Sequence, residues 1–235
     1  MNDYLAYAVI PTRDRHDMLA DCIDSLLVGQ QVCRVVVVDN GSKSPVDVRR
    51  WHGLATVIRR PMDPPNISTL WNEGLNWAAA DARRMSPDGM HSWPAWGWDV
   101  LVVNDDVICP PNLVATLSAR MRERDAAMAY PDQAGGQQEI LHTAAEPVDL
   151  RQRITGYAFL LRGETGLQAD PSLAWWYGDD DLDWRARKRG GSLLVPGVPV
   201  EHRAPNVQTA ARRELSAQAG RDRQTFITKW GKAPH

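Results

Sequence analysis

Cysteine and lysine are both scarce in this chain of 235 residues, and each scarcity excludes something. Cys22, Cys33 and Cys109 are odd in number, share no metal-ligand spacing and lie in or beside apolar runs. A disulfide framework and a cysteine-held metal are thereby excluded, and buried free thiols of a reducing compartment are expected. The four lysines, Lys43, Lys188, Lys229 and Lys232, accompany no Gly-rich loop, which argues against a nucleotidyltransferase. No apolar run approaches the roughly 18 residues needed to span a bilayer. Met1-Asn2-Asp3-Tyr4 lacks the charged and apolar regions of a signal peptide. A cytoplasmic protein without membrane insertion is therefore expected. The formal net charge of −2 describes no polycation seeking nucleic acid.

What is present suits a folded domain. Apolar residues make up 43% of the chain and charged residues 24%, ordinary for a soluble globular protein with a substantial core. Charge is uneven, however: from Arg185 onward there are eleven Lys or Arg against three Asp or Glu.

Leu5–Ile10 reads as a first strand, followed by the loop Pro11-Thr12-Arg13-Asp14-Arg15. Met18, Leu19, Cys22, Ile23, Leu26 and Leu27 recur at helical spacing, with Gly29 as a stop. Val35–Val38 is a buried strand running into Asp39-Asn40-Gly41-Ser42. Strand, helix and strand with short links form a right-handed βαβ unit with a parallel sheet. Ala55–Ile58 is a third strand, and Ser68 is placed to cap the helix carrying Leu70, Trp71 and Leu75. Met85–Trp98 reads as a loop whose tryptophans, Trp93, Trp96 and Trp98, are satellite core, the favoured reading, or a binding platform. A helix runs from Pro111 or Asn112 through Met121. Ala126–Tyr130, Ile154–Leu161, Leu193–Val195 and Val198–Val200 are strand-like, so the second half predicts a mixed sheet. Asn206–Trp230 is helix-prone and basic, either a solvated helix or an arm facing phosphate or acceptor.

Two acidic constellations carry the chemistry. Val100-Leu101-Val102-Val103 is a strand buried on both faces, and it ends in Asn104-Asp105-Asp106. Pro110-Pro111 blocks its continuation. Open α/β sheets bind ligands at such carboxyl ends. Adjacent carboxylates there form either an acidic turn or a site for a hard cation, Mg²⁺ or Mn²⁺, which bridges to phosphate. The second is Trp175-Trp176-Tyr177-Gly178-Asp179-Asp180-Asp181-Leu182-Asp183. Aspartates at a helix N-terminus complement its dipole, yet four in five positions exceed what capping needs. One of them can serve as general base toward a hydroxyl. His202, following a strand, is either structural or a third metal ligand.

In this order the motifs resemble a family 2 glycosyltransferase of the GT-A fold, over about residues 6–206. Ala8-Val9-Ile10-Pro11-Thr12-Arg13-Asp14-Arg15 resembles the opening strand and nucleotide loop. Val36-Val37-Val38-Asp39 resembles the second strand, whose aspartate meets the nucleotide base. Trp71-Asn72-Glu73-Gly74 resembles an Asn-x-Gly element, and Asn104-Asp105-Asp106 a DXD motif with asparagine first. Thr155-Gly156-Tyr157-Ala158 resembles the strand near the acceptor. Asp180-Asp181-Leu182-Asp183 with Arg187 resembles a Glu-Asp-x-Asp motif with its arginine.

The resemblance implies an α/β, Rossmann-like nucleotide-diphospho-sugar transferase with a mixed central sheet. A catalytic domain would cover residues 1–206, nucleotide-binding over 1–108 and acceptor-side over 109–206, with a basic helical segment over 207–235. Pro11, Thr12, Arg13, Asp39, Asn72 and Asp105 would bind the donor nucleotide. Asp106 and His202 would hold Mn²⁺ or Mg²⁺. Asp181 would be the base, beside Asp180, although the aspartate run leaves that register open by one. Gly156, Tyr157, Trp176 and Arg187 would lie on the acceptor side. The implied reaction is metal-dependent inverting transfer of a sugar from a UDP- or dTDP-linked donor to an acceptor hydroxyl. The acceptor is a glycan, a protein side chain or a hydroxymethylated base in DNA. A non-catalytic nucleotide-sugar binding module is the alternative of another class.

Overall fold

The computed structural model describes residues 5–28, 32–85, 97–204 and 212–234. Met1–Tyr4, Gly29, Trp93, Trp96 and the start of the C-terminal helix-prone segment lie outside them. The first half alternates strand and helix: β1 (Leu5–Thr12), α1 (His16–Leu27), β2 (Arg34–Asp39), β3 (Ala55–Arg59), α2 (Ile67–Arg84) and β4 (Trp98–Val103). The second half contains β5 (Val107–Ile108), α3 (Leu113–Glu123), β6 (Met128–Pro131), β7 (Ile140–His142) and β8 (Ala158–Arg162). It closes with α4 (Gly178–Arg187), β9 (Ser192–Val195), β10 (Glu201–His202) and α5 (Arg213–Trp230).

Eight strands form one mixed sheet in the order β3-β2-β1-β4-β8-β6-β9-β7. The β3-β2-β1-β4 portion is parallel, whereas β8 runs antiparallel to β4 and β6. The period-two geometry of strands explains why the valine runs suit this position. Ala8, Ile10, Val35, Val37, Leu101 and Val103 pack with α1 and α3 on one face. Tyr7, Val9, Val36, Val38, Val100 and Val102 pack with α2 and α4 on the other. Carboxyl ends of the central strands therefore share one rim, where Thr12, Asp39 and the Asn104-Asp105-Asp106 turn lie.

Several local expectations change. Asn66, not Ser68, caps α2, accepting from the Thr69 N–H at 2.9 Å; Ser68 instead donates to the Leu173 carbonyl. Trp98 opens β4 and meets Tyr7 edge-on, with ring centroids 6.1 Å apart. Of the Ile154–Leu161 run only the part from Ala158 is strand. Val198 and Val200 are buried, but the segment is not a strand; the exposed Pro199 between them has no N–H to give. Cys33 is exposed, while Cys22 and Cys109 are buried, and all three thiols are free. No described helix is long and apolar enough to cross a membrane.

Candidate active site

A cavity of about 480 Å³ opens along the carboxyl rim of the parallel strands. Pro11, Thr12 and Arg13, which follow β1, line it together with Asn104, Asp105 and Asp106 beyond β4. Thr12 donates its hydroxyl to Asp105 at 2.7 Å, tying the two strand ends together. Arg15 bridges the carboxylates, with Nη1 at 3.1 Å from Asp105 and 2.8 Å from Asp106. Burial pushes Asp105 up to about 6, against the pull of Thr12 and Arg15. Burial also acts on Asp106, but the adjacent His202 and Arg15 outweigh it and hold that carboxyl low.

The short antiparallel pair β5–β10 brings His202 to the rim. His202 pairs with Val107, and the next N–H, that of Arg203, donates to the Asp106 carbonyl at 2.9 Å. The result places His202 Nε2 3.3 Å from Asp106 Oδ1, an oxygen without a hydrogen bond. Tyr157 stacks on the imidazole at 4.2 Å, fixing its plane. A buried carboxylate oxygen beside an oriented imidazole is a donor set that fits a divalent ion. Among the described residues no three His, Cys, Asp or Glu side chains gather to hold an ion unaided.

Thr155, Gly156, Trp175, Trp176, Tyr177 and Asp179 also line the cavity, with Ile154 and Leu215. Tyr177 adopts a left-handed conformation, φ 65°, that turns the chain into α4. Leu182 and Ala186 set the inward face of α4, and Asp179 lies three residues before Leu182, on that face. Its carboxylate packs so closely on Gly156 that a Cβ there would meet Oδ2 at 2.7 Å. Burial, with the Asp180 charge beside it, pushes the Asp179 carboxyl up to about 7.

Of the aspartate run, Asp179 lines the cavity, and Asp180 and Asp181 do not. Asp181 is fully buried away from the cavity, 2.8 Å from both Arg185 and Lys229, and accepts from Trp230 Nε1 at 2.9 Å. Asp180 is clamped by Arg153, whose Nε lies 2.7 Å away. Arg187 is also buried, paired with Asp183 at 2.6 Å and donating to the Ala144 and Glu146 carbonyls. Asn72 makes reciprocal hydrogen bonds with the Ala169 backbone, so its neighbour Trp71 lines the cavity instead. Asp39 is engaged on both oxygens, by the Ser42 N–H and by Arg59, while Asn40 faces the cavity.

Residues 7–163 match the sequence model of glycosyl transferase family 2. The chain belongs to that family. It is a glycosyltransferase, and the following solved structures share its GT-A fold. A mannosyltransferase from Pyrobaculum calidifontis, in complex with GDP-Man and Mn²⁺, is 15% identical with a TM-score of 0.64, over 97% of this chain and 65% of that one. S. aureus TarS 1–349 is 11% identical with a TM-score of 0.59, over 94% and 68%. The same protein in complex with UDP gives 12% and 0.58, over 94% and 69%. This family 2 chain thus spans about two thirds of their length. No curated protein sequence matches it.

Trp71, Arg153 and Leu215 join the site without having been expected there. Arg15 stands in the loop that resembles the family's nucleotide loop, and it reaches across to Asp105 and Asp106.

Proposed function

We propose that this glycosyltransferase is an inverting, divalent-metal-dependent enzyme in which Asp179 is the base and Asp106 with His202 holds the metal. The observation that carries the reading is that Asp106, His202 and Asp179 line one cavity, with His202 Nε2 3.3 Å from the buried Asp106 Oδ1. Asp179 accepts the acceptor hydroxyl proton as that oxygen bonds to the anomeric carbon. The bond from that carbon to the diphosphate oxygen breaks on the opposite face, and its electron pair leaves with the nucleotide. A divalent ion held by Asp106 and His202 would supply Lewis-acid stabilisation of the charge on the leaving diphosphate. Arg13, whose buried Nη1 has no hydrogen-bond partner, is available to donate to phosphate.

GDP-Man with Mn²⁺ in one structural neighbour and UDP in another support a nucleotide-sugar donor for this chain, and the first also supports a metal. UDP- and dTDP-sugars remain the first donors to try, although Asp39 must be released by Arg59 before it reaches a base. The tryptophan wall favours an acceptor with a flat apolar face, such as a saccharide. DNA is the weaker reading, because Lys229 and Arg221 of the basic helix are engaged within the chain.

Thermal unfolding with UDP, dTDP and GDP, each with and without Mn²⁺, tests the reading. A ligand at about a hundred times its Kd adds roughly 2.7 kcal/mol. The expected result is a Mn²⁺-dependent rise that Asp106→Ala abolishes. A rise indifferent to Mn²⁺ and to Asp106→Ala would sink the metal site, and no rise with any nucleotide would sink the donor site.

A further inference from the structure

The segment that carries the acceptor wall, Leu173–Tyr177, has no regular structure of its own, yet its backbone is bonded from two sides. On the α2 side, Ser68 Oγ donates to the Leu173 carbonyl and the Ile67 N–H to the Ala174 carbonyl, both at 2.6 Å. On the α5 side stands Asp222, fully buried. Its Oδ1 accepts from the Ala174 N–H at 3.2 Å, and its Oδ2 from the Trp175 and Trp176 N–H groups, each at 2.8 Å. Gln218, one turn earlier on α5, donates Nε2 to Oδ1 at 2.6 Å. Successive N–H groups converging on an anion form a concave nest, and charge-assisted bonds of this kind are about twice as strong as neutral ones.

The same helix holds α4. Lys229 and Trp230 bind Asp181, and Phe226 packs between Tyr177 and Trp184. Leu215, at the other end of α5, lines the cavity itself. A helix whose composition suggests a solvated basic tail is therefore joined to the acceptor wall along its length.

We infer that α5 is part of the catalytic unit and that Asp222 is a positioning residue, holding the Trp175–Trp176–Tyr177 wall so that Asp179 meets the acceptor. The inference rests on the proposed transferase reading of the cavity. Asp222 touches neither donor nor acceptor; it acts through three backbone amides. Its loss lets the wall and the turn at Tyr177 relax, while the donor rim, tied through Thr12, Asp105 and β10, keeps its form.

Asp222→Asn keeps the side chain's size and removes its charge. Hydrogen exchange followed by mass spectrometry reads the local effect without any substrate. The amides of 174–176 are expected to exchange at least about tenfold faster, with those of 100–106 unchanged. Release of UDP from UDP-glucose into water, with Mn²⁺ present, reads the chemical effect. That rate is expected to fall by at least about tenfold while UDP affinity stays at the wild-type value. Unchanged exchange at 174–176 overturns the inference, because Asp222 then holds nothing. Faster exchange throughout the chain together with lost UDP affinity also overturns it, because the role is then only structural. Asp179→Asn separates the two ideas: wild-type UDP release in that variant defeats the base assignment while leaving the exchange result intact.

Discussion

A carboxyl pushed up to about 7 by burial and by Asp180 makes Asp179 useful and unstable at once. As a base it works only when deprotonated, so turnover is expected to climb with pH through about 7 and level off above. Initial rates across that range check it; a flat profile would remove Asp179 from the proton transfer. The folded chain holds this proton more tightly than the unfolded chain does, where the ordinary value of 3.8 applies. Folding stability is therefore lost as pH rises from there through about 7. Asp179→Asn removes that penalty, and its melting temperature is expected to exceed the wild type's near about pH 8 and to equal it below about pH 4. Asp181→Asn should behave oppositely. It leaves Arg185 and Lys229 short of a buried partner, with a loss of about 1–3 kcal/mol in denaturant unfolding. Turnover per folded molecule should be kept.

Among elements, the parallel half was the most legible, since strands buried on both faces read as unbroken valine runs such as Val35–Val38 and Val100–Val103. The helix at Gly178 was legible too, but the aspartate that reaches the cavity was not. Repeated aspartates carry no phase of their own, and the phase comes from Leu182 and Ala186 packing on the sheet. α5 was read as a basic segment because sequence shows its charges and not their partners, Asp170, Asp181 and Gln218. The pairing of β5 with β10 involves too few residues to leave a periodic signal, yet it sets His202 against Asp106. Contact between α2 and β1 is equally specific: a Cβ at Gly74 would lie 2.3 Å from Val9 Cγ1. Gly74→Ala is expected to cost about 1–3 kcal/mol through overpacking, seen as a lower urea midpoint. A midpoint equal to the wild type's would mean the two elements separate freely.

Over the whole molecule, the mixed sheet divides the work of the cavity. Its parallel strands end in the rim of Thr12, Asp105 and Asp106, and after the β4–β8 reversal residues 153–157 and the start of α4 supply the rest of the lining. α5 braces that wall from behind. Neither half is a site by itself, which is why single motifs in the sequence read as either turns or caps. Removing the imidazole by His202→Ala is expected to weaken Mn²⁺-dependent UDP binding while leaving the fold intact, as followed by titration calorimetry and melting. The central claim, that the two walls meet over one reacting sugar with Asp179 as base, is tested most directly by Asp179→Asn. Release of nucleoside diphosphate from UDP-glucose and affinity for UDP with Mn²⁺ would be measured on the same samples. Expected is a fall in release of about 10²–10⁴-fold with affinity unchanged. Wild-type release from that variant would contradict the claim.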